Sequence, residues 1–172
     1  ASFINAYDQF TYTVSDDGVR GYWIGQWQAV NRCNQVITNV PKIDMDATLK
    51  TRLIAEAKML RAYFYFNLVR EYGDVPLVTT VLTADEANAM VRTPATQVID
   101  FIVSECNDLV SNLPRSYSAL AFPETGRVTR ATALALKART LLYAASPLLN
   151  PSQESAKWDA AAQRSEERRV GK

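Results

Sequence analysis

EAKMLRAYFYFNLVREYGDVPLV, the segment from Glu56 to Val78, decides the fold of this chain. Successive helical residues turn by about 100°, so the rings of residues 63–66 point around most of the helix circumference. Burying each large apolar side chain contributes roughly 1.5 to 3 kcal/mol, so together these rings matter on the scale of a domain's net stability. We therefore predict a central helix with residues 63–66 in the core. Gly73 ends this helix, because glycine takes the left-handed C-terminal conformation without steric penalty, and Pro76 blocks continuation.

Helical patterns continue on both sides of this segment. Residues 1–20 are predicted to be irregular, and apolar side chains then recur at helical spacing from Ile24 to Pro41. Thr93 before Pro94 predicts another helix start, with threonine as the cap. A further helix is predicted from Thr129, and strand-like pieces are few and short. The sequence therefore predicts an all-α fold, a tetratricopeptide-like stack of helical hairpins with little or no sheet.

Composition excludes several classes of function. Nineteen basic and eighteen acidic residues leave a net charge of +1, which gives no field to attract nucleic acid or an anionic membrane. The chain contains no histidine, which removes the usual catalytic triads, histidine proton shuttles and most zinc sites. Neither G-x-x-x-x-G-K-S/T nor G-x-G-x-x-G is present, so no phosphate-binding loop is predicted. We predict no catalytic residue, no metal and no cofactor.

Three blocks of the sequence follow one family pattern. The first is the Glu56 segment, similar to E-A-K/R-x-L-R-A-x-x-Y-F-x-L, and the second begins at Gly126, similar to G-R-x-T/S-K-x-A-A-x-A-L-L-A-R. The weaker third places Trp27 in W-x-x-x-Y-x-x-I-x-x-A/C-N, with Asn31 where an aromatic residue is expected. Together they resemble the SusD/RagB family, the surface lipoproteins with which Bacteroidetes capture glycans and other nutrients. The signature residues are Glu56, Arg61, Tyr65, Phe66, Gly73, Pro76, Gly126, Arg127 and Arg139.

This resemblance implies a function, a partner and a location. It implies a non-enzymatic, glycan- or nutrient-binding lipoprotein, exposed on the cell outer membrane, that works with a SusC-like TonB-dependent transporter in polysaccharide uptake such as starch utilisation. The identity of the glycan is not specified. Periodicity alone also allows an alternative, a general helical-repeat scaffold for protein–protein interaction.

The resemblance also predicts how the chain is organised. Family members attach to the membrane through an N-terminal lipid anchor that is absent from this sequence. We therefore expect residues 1–163 to be a fragment of the SusD-like helical region, with the N-terminus and the C-terminal part missing. Residues 164–172 read RSEERRVGK without apolar periodicity, and we expect them to be a non-native or disordered tail.

One group of residues has the composition of a sugar-binding site. Sugars have C–H faces that stack on aromatic rings and hydroxyls that need planar donors and acceptors. Such a mixture occurs at the predicted irregular start of the first helix, and Trp27, one turn further on, is interpreted as a core residue. The candidate ligand-binding residues are Arg20, Tyr22, Trp23, Gln26 and Asn31.

Three further residues need an environment that the sequence does not specify. Arg61 lies in an apolar helix and requires an anionic or carbonyl partner: Glu56, a carboxylate on another helix, or a bound ligand. Cys33 and Cys106 are interpreted as small core residues, since free cysteine is among the most buried residue types. A disulfide between them stays open, because an extracellular location would permit it.

Overall fold

A computed structural model describes residue 13, residues 16–118, residue 124 and residues 126–170, although the side chains of 164–170 are not described. Within these ranges the chain forms α-helices and one short 3-10 turn. They are α1 (Asp17–Asn39), the 3-10 turn (Val40–Lys42), α2 (Ala47–Tyr72), α3 (Ala84–Ala89), α4 (Ala95–Leu109), α5 (Arg130–Ala145) and α6 (Ser155–Val170). The described residues contain no β-strand, and an isolated antiparallel bridge joins Val75 to Thr93. The all-α prediction is confirmed.

The first helical hairpin is formed by α1 and α2. The Tyr72 hydroxyl at the end of α2 donates to the Val19 carbonyl near the start of α1, at 2.9 Å. Arg61, one residue beyond the middle of α2, donates to the Asn34 side chain late in α1, at 2.8 Å. The two helices therefore run antiparallel. Helix α1 already begins at Asp17, so the prediction that residues 1–20 are irregular is wrong for residues 17–20, whereas residues 1–12, 14 and 15 lie outside the described residues.

The rings of α2 are not all buried. Tyr65 and Phe66 lie in the core and Phe64 is partly buried, whereas Tyr63 is 43% exposed. Leu60, three residues before Tyr63, shares this exposed side of the helix. The prediction that residues 63–66 are all in the core is therefore wrong for Tyr63. Two steps of about 100° place Tyr63 far around the helix from Tyr65, on a side that no described element covers.

The connection that follows α2 caps the start of α4. Gly73 ends α2 with a positive φ of +67°, as predicted for a glycine, but its ψ of −117° lies outside the left-handed helical conformation that we expected. The next residue, Asp74, accepts a hydrogen bond from the backbone amide of Ala95 through Oδ1, at 2.8 Å. Pro94 occupies the cap position without a side-chain hydrogen bond, so the prediction that Thr93 caps this helix is wrong. A carboxylate from the preceding connection performs that role instead.

The remaining helices extend the stack. Helix α4 packs against α2 and α5, and α6 packs against α5. The core between them contains Ile102 and Leu109 of α4. Cys33 and Cys106 are both buried and both free, which confirms them as core residues and leaves no disulfide between them.

Helix α6 runs further than the sequence predicted. Its backbone is helical through residues 164–170, for which the sequence predicts a non-native or disordered tail. Glutamate and arginine, which make up five of the seven residues 164–170, are good helix formers, so a segment without apolar periodicity can still continue a helix that has already started. That residues 164–172 are not native to the protein stays a prediction. Across the described helices, none combines the length and apolarity needed to cross a membrane.

Candidate functional site

A cleft opens between α1, the extended segment 76–82 and α3. Its volume is about 420 Å³, within the range of roughly 300–1,000 Å³ that is usual for small-molecule sites. We call it the tryptophan cleft. It is lined by Trp23, Trp27, Val30, Asn31, Asn34, Pro76, Val78, Thr80, Leu82, Thr83, Ala84, Ala87 and Met90.

Aromatic contacts fix the two tryptophans on α1. Their ring centroids are 5.5 Å apart in an edge-to-face arrangement. Trp23 also meets Tyr72 edge-to-face at 4.8 Å, and Trp27 meets Tyr65 at 6.1 Å. Such pairs contribute roughly 0.5 to 1.5 kcal/mol beyond the area that they bury. The pair is therefore held by α2 before any ligand arrives, and both rings remain only partly buried.

The opposite wall of the cleft is held by side chains that bind its backbone. Asn34 donates through Nδ2 to the carbonyls of Val78 and Thr80, at 3.1 and 2.9 Å. The Tyr65 hydroxyl donates to the Val78 carbonyl at 2.9 Å and accepts from the Val78 amide at 2.6 Å. These hydrogen bonds satisfy backbone groups of Val78 and Thr80 that would pair with a neighbouring strand if the segment lay in a sheet.

A buried ion pair supports this wall from behind. Arg61 pairs with Glu105 of α4 at 2.7 Å and donates to Asn34 Oδ1 at 2.8 Å and to the Thr79 carbonyl at 3.0 Å. Because the guanidinium can only donate, the oxygen of the Asn34 amide must face it, which turns Nδ2 towards the wall. Of the partners predicted for Arg61, the structure contains the carboxylate on another helix, Glu105.

Glu56 has a different partner. Arg127 binds it bidentately, with Nη2–Oε2 at 2.6 Å and Nε–Oε1 at 3.1 Å. The Tyr117 hydroxyl also donates to Glu56 Oε1, at 2.8 Å. Burial, together with the neighbouring Glu56 carboxylate, raises the pKa of Tyr117 to about 12. Two signature residues from separate sequence blocks therefore join α2 to the segment before α5.

The other signature residues have structural positions too. Arg139 lies over the Phe66 ring, 5.3 Å from its centroid, and Tyr143 meets the same ring edge-to-face at 5.1 Å. Gly126 has φ +91°, a conformation that disfavours any other residue. Pro76 lines the tryptophan cleft.

Two of the five predicted ligand-binding residues lie in the cleft. Trp23 and Asn31 line it together, and Trp27, interpreted from the sequence as core, lines it as well. Counting back from Cys33 and Asn34, the aromatic positions of the third sequence block fall on Trp23 and Trp27. The register predicted from the sequence, with these positions at Trp27 and Asn31, is therefore four residues too late, and the burial of Cys33 and Asn34 supports the earlier register.

The other three predicted residues lie outside the cleft lining. Arg20 is exposed on α1. Tyr22 is directed to Tyr72, with ring centroids 6.4 Å apart. Gln26 accepts a hydrogen bond from Asn67 Nδ2 of α2 at 3.4 Å, which draws it towards the helix interface. Their assignment to a ligand site stays a prediction.

The lining residues that follow α2 and α3 could not be identified from the sequence. Val78, Thr80 and Met90 line it but belong to no recognisable motif. Their one signal is that the chain between Pro76 and Thr93 lacks helical periodicity, which marks a connection without locating its contacts.

A second groove lies between α2, α4, α5 and α6. Its volume is about 580 Å³, and Leu142, Leu148 and Trp158 contribute exposed apolar surface to it. None of the predicted ligand-binding residues lines this groove. Among the described residues, no group of three or more cysteine, aspartate or glutamate side chains could hold a metal ion.

Comparison with known proteins identifies similar chains. A family profile described as SusD-like, starch-binding and associating with the outer membrane matches residues 2–142. A SusD-like protein of Formosa agariphila is 30% identical over 134 residues, which is 76% of this chain and 26% of that protein.

Solved structures give the same picture. A SusD-like carbohydrate-binding protein from Bacteroides fragilis is 30% identical, with a TM-score of 0.71 over 88% of this chain and 27% of its own. A laminarin-binding SusD-like protein is 31% identical, with a TM-score of 0.68 over 78% of this chain and 28% of its own. The chain therefore spans about a quarter of the length of these relatives.

Proposed function

This chain belongs to the SusD-like family, and we propose that it is the helical part of a non-enzymatic glycan-binding protein at the outer-membrane surface. The family description and the carbohydrate-binding relative support this assignment. They favour glycan capture over the general helical-repeat scaffold that periodicity also allowed. The observation that carries the proposal within the chain itself is the tryptophan cleft.

The cleft has the chemistry that reversible sugar binding requires. The partly buried rings of Trp23 and Trp27 offer apolar surface for the C–H face of a sugar. Asn31 lines the same cleft and carries both a donor and an acceptor for hydroxyl groups. Because α2 holds the aromatic pair, and Asn34 of α1 holds the backbone wall together with Arg61 and Tyr65 of α2, little side-chain order has to be gained on binding. Capture in this manner breaks no covalent bond and needs no cofactor.

The proposed partner is a SusC-like TonB-dependent transporter in the same membrane. The association with the outer membrane in the family description supports this part of the proposal. The helical stack would provide the docking face, and the protein would deliver its glycan to the transporter. Polysaccharide uptake would follow from capture and delivery by two proteins, without chemistry on the sugar.

Affinity electrophoresis tests glycan capture. The chain is run in native gels that contain laminarin, soluble starch, xyloglucan, polygalacturonate or alginate, with bovine serum albumin as the non-binding control. Retardation in at least one of these gels is the expected result. Unchanged migration in all of them would contradict glycan binding by this chain.

Co-purification tests the partner. The protein is tagged in its own bacterium, extracted from outer membranes with mild detergent, and its bound proteins are identified by mass spectrometry. We expect a TonB-dependent transporter in near-equal amount. Recovery of the tagged protein without such a transporter would refute the partnership while leaving glycan binding intact.

A further inference from the structure

The tryptophan cleft is uncharged. Its lining contains aromatic, aliphatic, threonine, asparagine, proline and methionine side chains, and no lysine, arginine, aspartate or glutamate among the described residues. A carboxylate or sulfate placed inside it would lose hydration without gaining a counter-charge, which is costly. The cleft therefore lacks the means to hold an anionic sugar.

Charged side chains of both signs flank the lining residues in the sequence, and exposed Arg32 directly follows Asn31 on α1. Asp85 and Glu86 lie on α3 beside the lining residue Ala84. Glu86 accepts hydrogen bonds from the Thr83 amide at 2.8 Å and from the Thr83 hydroxyl at 2.9 Å. These bonds lower the pKa of Glu86, so it is ionised at neutral pH. Because the flanking charges have both signs, the uncharged lining itself is the feature that distinguishes neutral from anionic ligands.

The polar groups of the cleft are neutral ones. Asn31 is exposed at the cleft. The indole nitrogen of Trp27 is buried and has no hydrogen-bond partner among the described residues. A buried donor without a partner costs roughly 1 to 3 kcal/mol. A small ring shift towards a water or a hydroxyl oxygen would relieve that cost.

We propose that the tryptophan cleft is a subsite for one uncharged sugar ring, so that this chain selects neutral glycans over uronic-acid or sulfated ones. The ring stacks on Trp23 or Trp27, and its hydroxyls bind the amide of Asn31. This inference rests on the proposed glycan-binding function and narrows its ligand class.

Isothermal titration tests both the location and the selectivity. Neutral probes are laminarin, soluble starch and xyloglucan, and anionic probes are polygalacturonate and alginate. We expect at least one neutral probe to bind and both anionic probes to give no heat of binding at the same concentrations. Trp23→Ala should weaken neutral binding by about tenfold or more, as for removal of an aromatic anchor. Trp158→Ala, which removes a 44% exposed tryptophan from the other groove, should change it by less than about twofold.

A second variant covers the case in which Trp23→Ala misfolds. Asn31 is exposed on α1, so Asn31→Lys should keep the fold, as circular dichroism would check. The added cation should weaken neutral binding and give measurable, salt-sensitive binding of polygalacturonate.

The possible outcomes distinguish failure of the proposed subsite from failure of the proposed glycan-binding function. Neutral binding that neither Trp23→Ala nor Asn31→Lys alters would move the site elsewhere and leave the proposed function intact. Wild-type binding of polygalacturonate or alginate as tight as that of the neutral probes would overturn the selectivity. Absence of binding to every probe would overturn both the subsite and the proposed function.

Discussion

Replacing Arg61 with methionine would leave the Glu105 carboxylate buried without a counter-charge. Their side chains are 2.7 Å apart and only 5% and 10% exposed. The same guanidinium donates to Asn34 and to the Thr79 carbonyl, so the variant also loses two hydrogen bonds to the cleft wall. Methionine matches the length of the arginine stem, which keeps packing loss small.

The expected loss of stability can be compared with that for an exposed ion pair that has the same N–O distance. Removing one partner of a buried pair costs roughly 3 to 5 kcal/mol, a large part of a domain's net 5 to 15 kcal/mol. Arg70 and Glu71 are also 2.7 Å apart, but their side chains are 30% and 44% exposed. Exposed pairs contribute about 0 to 1 kcal/mol, because water screens the charges and the side chains lose rotational freedom. Arg70→Met is therefore the matched control.

Urea denaturation followed by circular dichroism measures these differences. The set comprises the wild type, Arg61→Met, Glu105→Leu, the double variant of that pair, and Arg70→Met. We expect the double variant to be more stable than the sum of the single losses predicts, by about 1 to 3 kcal/mol, since it strands no charge. If Arg61→Met cost no more than Arg70→Met, or if the single losses simply added, the buried pair would not anchor the cleft wall.

Three further outcomes follow from local features. Burial raises the pKa of Tyr65 from 10.0 to about 12; the folded chain then keeps a proton that the unfolded chain releases, so stability should fall as pH rises from about 10 to about 12. Tyr65→Phe should flatten that slope in pH-dependent urea melts, and an equal slope would contradict the assignment. Gly73→Ala places an L-residue at φ +67° and should destabilise the chain by about 1 to 3 kcal/mol. Gly25→Ala lies in mid-helix with open space around the added Cβ and should stabilise the chain by about 0.5 to 1 kcal/mol. Thermal melts in which Gly73→Ala is the more stable of the two variants would contradict these expectations. Burial raises the pKa of both Cys33 and Cys106, the latter to about 12. Neither thiol should therefore react with an aromatic disulfide at pH 8 until urea is added. Rapid labelling of the native chain would contradict this expectation, because it would show that one of the thiols is accessible.

The candidate site was accessible to sequence reasoning in part. Trp23 and Asn31 could be selected because their side-chain types match the needs of a sugar. The wall residues Val78 and Thr80 could not, since they contribute through the position of a backbone that Asn34 holds. Trp27, predicted to be a core residue, is partly buried against the core and also lines the cleft, because an open cleft beside a helix leaves no mark in the local sequence pattern.

The sequence by itself determined the central helix, its glycine stop and its all-α setting. Periodicity, steric preference at Gly73 and the size of the rings act within a few residues, so they can be read locally. Tertiary structure alone decided that Tyr63 is exposed while Tyr65 is buried, and that Arg61 pairs with Glu105, 44 residues away. The reason is physical: which side of a helix is covered, and which charge meets which, depends on where distant helices pack, and α2 carries the same residues whichever neighbour it acquires.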